Sequence, residues 1–116
     1  MKPAGVHHVS INVSDVDAAK DFYVDVLGLT ERSDRPDFGF GGAWLDVGGQ
    51  QVHLIEGTVP EGVGQHFAIE VHDLDDVVAE LRGRGIKVSD PRAVATSRQS
   101  FLKDPCGNLV ELQQPG

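Results

Sequence analysis

Two stretches of the chain carry apolar residues at helical spacing. In the first, Val16, Ala19, Phe22, Tyr23, Val26 and Leu27 recur at steps of three, three, one, three and one. These steps draw one stripe of a 3.6-residue period and predict a helix from about Ser14 to Gly28. Ser14 or Asp15 can cap its start, and Gly28 can take the left-handed conformation past its end. In the second, Leu74, Val77, Val78 and Leu81 form the stripe, with Asp73 as cap and Gly85 as terminator. Before each helix stands a stretch that alternates apolar and polar residues, Val6 to Val13 and Gln65 to Val71. Three strand-like pieces follow each helix: roughly Leu29–Ser33, Gly41–Val47 and Gln50–Glu56, then Ile86–Ser89, Ser100–Lys103 and Asn108–Gln113. Each half therefore reads β-α-β-β-β.

The halves also match residue by residue. A shift of 58 positions lays His8 on His66, Ile11 on Ile69, Val13 on Val71, Asp15 on Asp73 and Asp17 on Asp75. The same shift lays Asp46 on Asp104, Gly49 on Gly107, Val52 on Val110 and Leu54 on Leu112. Nine identities at equivalent points of the same element order indicate two copies of one supersecondary unit, neither able to bury its apolar face alone. The expected organisation is one domain over 1–116, α+β in class, built of two β-α-β-β-β modules with curved mixed sheets. Module one covers about 6–57 and module two about 65–114, joined by Gly57 to Gly64, a segment with little apolar content.

Composition narrows the function classes. The length of 116 residues suits one domain. Eighteen acidic against ten basic residues give a net charge of −8, so neither nucleic acid nor an anionic membrane is the expected partner. A single cysteine leaves no internal disulfide to form. No apolar run is long enough for a membrane span, and no apolar stretch follows Met1-Lys2-Pro3-Ala4-Gly5, so no signal peptide is expected. The default compartment is the cytoplasm.

Four polar residues stand in a symmetric relation. His8 lies in the first strand of its half and His53 in the last. The 58-residue shift carries His8 onto His66 and His53 onto Glu111. By strand parity His8 sides with Ser10 and Asn12, and His66 with Ala68 and Glu70. His53 opposes Val52 and Leu54, and Glu111 opposes Val110 and Leu112. One such histidine on a polar strand face is ordinarily a solvated side chain. Imidazole and carboxylate at four repeat-equivalent positions instead form a ligand set for a divalent metal.

The chain resembles the vicinal oxygen chelate superfamily, which includes glyoxalase I, fosfomycin- and bleomycin-resistance proteins, extradiol dioxygenases and methylmalonyl-CoA epimerase. The resemblance runs from about His8 to Gln113. It rests on His8-Val9-Ser10-Ile11-Asn12-Val13-Ser14-Asp15, Phe22-Tyr23 with Leu27-Gly28-Leu29, His66-Phe67-Ala68-Ile69-Glu70-Val71, and Asp104-Pro105-Cys106-Gly107-Asn108 with Val110-Glu111-Leu112. It implies paired modules forming an open cup around a divalent transition metal (Zn, Ni, Fe, Mn or Co). His8, His66 and Glu111 match the recurrent ligands, and His53 falls at the fourth, variable position. The implied activity is a glyoxalase-like lyase or isomerase acting on a small oxygen-chelating substrate through a metal-stabilised enediolate or similar oxyanion. Glu111 or His53 would be the catalytic proton carrier.

Two departures qualify that implication. Glyoxalase I generally has a glutamate where this chain has His53, and often an arginine for glutathione where this chain has Asn12. The alternatives are an Fe(II) extradiol-type dioxygenase and a non-catalytic small-molecule binding or resistance protein. The resemblance also implies a homodimer with sites shared between chains. The linker of about eight residues, reaching about 28 Å, permits that exchange.

Other residues carry weaker signals. His7 has the opposite parity to His8 and is expected to face away from it. His72 is read as a capping or solvated residue, and Cys106 as part of a turn with no basic activator near it in sequence. Glu56 is expected to face away from His53, while Glu70 shares the face of His66 and could support it. Arg92 and Arg98 are placed in a loop, with Arg32 and Arg35 in the corresponding region of the first half. All four are candidates for an anionic substrate, with plain solvation the simpler reading. Trp44 and Phe101 are expected to wall the cup or to fill the core.

Overall fold

The computed structural model describes residues 1–62 and 64–116. The chain divides into two compact units, Met1–Glu61 and Gly62–Gly116. Residue 63, inside the expected linker, lies outside the described residues.

In the first unit β1 (His8–Val13) leads into helix α1 (Val16–Asp21), which continues as a π-helical turn over Phe22–Val26. Asp15 caps the helix by accepting from the Ala18 N–H at 3.0 Å. The Leu27 N–H reaches back to the Phe22 carbonyl at 3.0 Å, and Gly28 closes the end at φ 81°. The strands β2 (Thr30–Glu31), β3 (Gly42–Val47) and β4 (Gln50–Glu56) follow. The sheet order is β1-β4-β3-β2, with β1 parallel to β4 and the other pairs antiparallel. Its core is Val13, Ala19, Tyr23, Leu29, Ala43, Leu45, Val52 and Leu54.

The second unit repeats this plan with β5 (His66–Glu70), α2 (Leu74–Gly83), β6 (Arg92–Val94), β7 (Ser97–Lys103) and β8 (Leu109–Gln114). The sheet order β5-β8-β7-β6 again has one parallel pair, β5 with β8. The apolar face of α2 buries Leu74, Val78 and Leu81 in a core with Val88, Leu102, Val110 and Leu112. The fold is α+β, with two mixed, curved sheets that do not close.

The strand registers of the two units are the same under the 58-residue shift. His8 lies opposite Gln51 as His66 lies opposite Leu109, and Ser10 opposite His53 as Ala68 opposite Glu111. The second strand of the second half is not Ile86–Ser89. The Ile86 N–H is spent closing α2 on the Leu81 carbonyl (3.1 Å), and the Val88 carbonyl accepts from Arg82 Nη2 (2.8 Å). Only Ser89 reaches the sheet, bonding the Phe101 carbonyl at 2.9 Å. The strand falls instead on Arg92–Val94, an exposed segment without apolar alternation. Arg92 and Arg98 are therefore strand residues, on β6 and β7, and not loop residues.

Candidate functional site

The four candidate side chains come as two pairs, one per unit, at the seam between the parallel strands. In the second unit His66 on β5 and Glu111 on β8 are diagonal neighbours, with Nε2 of His66 3.1 Å from Oε1 of Glu111. On its other side the ring bonds the Gly64 carbonyl through Nδ1 at 2.8 Å. A carbonyl only accepts, so Nδ1 carries the hydrogen, and whenever the ring is neutral it is the Nε2 lone pair that faces the carboxylate. Two acceptors at that distance need a cation between them, either a proton or a metal. This is also how a protein orients a ligating histidine, by tying its second nitrogen to a backbone carbonyl. The Glu111 side chain is buried, and Phe101, its register partner on β7, stands edge-on to His66 at 5.6 Å.

In the first unit the rings of His8 on β1 and His53 on β4 stack at 3.9 Å with 14° between planes. Trp44, the register partner of His53 on β3, covers its other face at 4.6 Å and 11°. His53 donates from Nε2 to Gln51 Oε1 at 2.8 Å, which leaves the Nδ1 lone pair free in the neutral ring. Burial pushes the His53 imidazole below its ordinary range, with the positive charges of His8, His7, Arg32 and Arg35 acting the same way.

Trp44 and Phe101 thus hold equivalent places, each beside the buried candidate of its unit. His7 does not face away as its parity suggested. It precedes β1, so no pleat sends it to the opposite side, and its Nδ1 shares a hydrogen bond with His8 Nδ1 at 2.9 Å. The polar strand face reading also needs correction. Val52, His53 and Leu54 are all buried, as are Val110, Glu111 and Leu112, so β4 and β8 are covered on both faces.

Several of the other residues singled out in sequence have structural partners. Asp73, not His72, caps α2 by accepting from the Asp76 N–H at 3.2 Å. The buried Asp104 carboxylate accepts from the Cys106 and Asn108 N–H groups, both at 2.9 Å, and so makes the turn that aims β8. Asn12 donates its side-chain amide to the Thr58 carbonyl at 2.9 Å. Arg98 pairs through both terminal nitrogens with Asp75 on α2, at 2.9 and 3.0 Å, and pins the helix to the sheet. Arg32 holds Asp34 through Nε and Nη2, at 2.9 and 2.7 Å, and Asp46 through Nη1 at 2.9 Å. That contact keeps the Asp34 carboxyl below the usual range.

A cavity of about 530 Å³ opens beside the first pair, lined by His8, His53, Trp44, Arg35, Phe38 and Phe40 among others. Phe38 and Phe40, in the loop between β2 and β3, lie outside any apolar period, and their signal in sequence is Phe38-Gly39-Phe40 three residues after Arg35.

The donor chemistry fits a divalent metal. His66 and Glu111 converge as they stand. The stacked planes of His8 and His53 cannot both contain one ion, so joint ligation requires the exposed His8 ring to leave both the stack and its hydrogen bond to His7. Taken unit by unit, no group of three or more His, Cys, Asp or Glu side chains is arranged to hold a metal among the described residues.

Among known proteins, the chain is similar to lactoylglutathione lyase GLX1 of Arabidopsis thaliana, 32% identical over 123 residues and covering 94% of this chain. This chain spans 44% of that relative, less than half its length. A probable lactoylglutathione lyase of Synechocystis is 31% identical and covers 92% of each chain. The crystal structure of TnmS3, an antibiotic binding protein from Streptomyces sp. CB03234, superposes with a TM-score of 0.86 at 31% identity. It covers 100% of this chain and 99% of that one. The family model that matches residues 5–112 completes the assignment: the chain belongs to the Glyoxalase/Bleomycin resistance protein/Dioxygenase superfamily.

Proposed function

We propose that this protein is a divalent-metal-dependent enzyme of glyoxalase type, a lyase or isomerase acting on a small substrate with two neighbouring oxygens. The observation that carries this reading is the His66–Glu111 pair, an imidazole Nε2 and a carboxylate oxygen 3.1 Å apart behind a backbone-tethered ring. The repeat-equivalent His8–His53 pair lies at the same register positions. His8, His53, His66 and Glu111 would hold the metal. When bound, the metal supplies Lewis acidity toward the substrate oxygens.

The chain's own residues do the rest. Glu111 is the buried carboxylate that carries a proton to or from the substrate carbon, held in position by His66. His53 is neutral, with its Nε2–H anchored on Gln51, so its Nδ1 is the alternative proton acceptor. Trp44 covers one face of the His53 ring and Phe101 stands edge-on to His66, so each aromatic ring fixes a candidate imidazole in place. Asn12 offers no guanidinium for a thiol co-substrate's carboxylate, and glutathione is not part of the proposal. A twofold homodimer is part of it: His8 and His53 of one chain would act with His66 of the partner subunit and Glu111 of the partner subunit.

The test is elemental analysis of protein purified without chelator, followed by a thiohemiacetal isomerase assay. The expected result is about one transition metal per chain and metal-dependent turnover. Protein that takes up no divalent metal refutes the proposal. A second reading, a binding protein that catalyses nothing, is favoured by the His8–His53–Trp44 stack, which resembles a ring-binding platform more than a ligand pair. Metal uptake without turnover on any vicinal-oxygen substrate would favour it.

A further inference from the structure

We infer that the cavity of the first unit takes a planar aromatic anion, a flat ring bearing a carboxylate or phenolate oxygen. This names a substrate class for the site proposed above and rests on that reading only for the chemistry after binding.

The rings come first. The chain has seven Phe, Trp and Tyr residues, and three of them, Phe38, Phe40 and Trp44, line this one cavity. Phe38 and Phe40 stack at 5.6 Å with 15° between planes, and Trp44 stands 6.1 Å from Phe38, tilted by 48°. Trp44 also heads the stack through His53 to His8. Phe38 and Phe40 are each 48% exposed. Single exposed apolar residues are ordinary, but paired rings at the rim of a concave cavity are surface that a flat ligand would cover.

Charge supplies the polarity. Arg32 is neutralised by two carboxylates, Asp34 and Asp46. Arg35 has no ion-pair partner among the described residues. Its guanidinium lies 5.1 Å over the Phe38 ring and 5.7 Å over the Phe40 ring, and Nη2 donates to the Phe40 carbonyl at 3.0 Å. Four of its five N–H donors are left for a ligand. A guanidinium laid across ring faces can bond an oxyanion in its own plane while the ligand's ring stacks beside it.

The backbone makes the room. A Cβ at Gly42 would come within 2.9 Å of Arg35 Nη2 and would collide with the Leu54 carbonyl. The missing side chain is what seats the guanidinium against β3. The resulting cavity of about 530 Å³ is of the size that holds small organic ligands.

The test uses chelator-treated protein titrated by calorimetry with 2-naphthoate, acetate and 2-naphthylmethanol. The single tryptophan, Trp44, gives one indole N–H signal that reports the location by NMR. The expected result is that 2-naphthoate shifts this signal and binds at least about tenfold more tightly than either probe lacking the ring or the charge. Arg35→Met is expected to lose about tenfold for 2-naphthoate and to leave 2-naphthylmethanol unchanged. If Arg35→Met does not fold, Arg35→Gln is read by the same criterion. Naphthoate binding no tighter than acetate, unchanged affinity in the arginine variant, or an unmoved Trp44 signal each overturns the inference. No metal is present in this experiment, so the metal reading and this one fail separately.

Discussion

Replacing Glu111 by glutamine separates the fold of the candidate site from its chemistry. The carboxylate is buried, and its Oε1 lies 3.1 Å from a His66 nitrogen that carries a lone pair in the neutral ring. Glutamine has the same shape and can donate an amide N–H to that lone pair. The variant should therefore keep the contact without needing a cation. The metal-free protein should be as stable as the wild type or more so, by up to about 1 kcal/mol, the net worth of one hydrogen bond. Metal binding should move the other way, because a neutral amide replaces an anionic ligand. Loss of outer partners alone costs 10–100-fold in affinity. Loss of a ligand should cost at least about 100-fold, or about 2.8 kcal/mol. Thermal melts with and without chelator give the first quantity, and equilibrium dialysis against Zn(II), Ni(II) and Co(II) gives the second. A folded Glu111→Gln protein that binds metal within about threefold of wild type would remove Glu111 from the ligand set.

Ser100→Ala should stabilise the protein by about 1 kcal/mol, raising Tm by about 4 °C. The Ser100 hydroxyl is fully buried without a hydrogen-bond partner among the described residues, and alanine already fills the equivalent place at Ala43; a lowered Tm would refute this. The Arg98 contact holds the Asp75 carboxyl below its ordinary range. Its folded value is therefore depressed, so the stabilisation is complete above the unfolded carboxylate range and disappears as pH falls through the folded value. Urea melts of wild type and Asp75→Asn should differ at neutral pH in low salt and converge in acid, and parallel curves across that window would contradict the assignment. Co-refolding His8→Ala with Glu111→Ala chains tests the shared sites, since one site of each mixed dimer would be intact and should bind metal. Mixed dimers that recover no metal binding would locate each site within one chain.

The local elements were legible from sequence because their causes are local. The apolar stripe from Leu74 to Leu81, the Asp73 cap and Gly85 past the end mark α2 without reference to the rest of the chain. Likewise Asp15 and Gly28 bracket the first helix, although its continuation as a π-helical turn is invisible in the stripe. The 58-residue repeat carries the element order and, with it, the common register of β1 on β4 and β5 on β8. Where a strand is short and exposed on both faces, as Arg92–Val94 is, alternation has nothing to report. The apolar Ile86–Ser89 attracted the assignment that its hydrogen bonds to α2 deny it.

What only the tertiary structure decided is which side chain faces which across the chain. Glu111 meets His66 across 45 residues because two strands pair in parallel and place them on a diagonal. Parity assigns a side chain to a face of its strand, but it does not say what covers that face. His53 therefore reads as a polar-face residue in sequence, and is buried between Trp44 and His8 in the fold. The two arginines of the β2–β3 loop are indistinguishable in sequence. Asp46, brought in on β3, joins Asp34 in neutralising Arg32, and Arg35 is left over the rings of Phe38 and Phe40. Periodicity is written within a turn or a strand, whereas charge pairing and stacking depend on contacts that only the sheet register brings together.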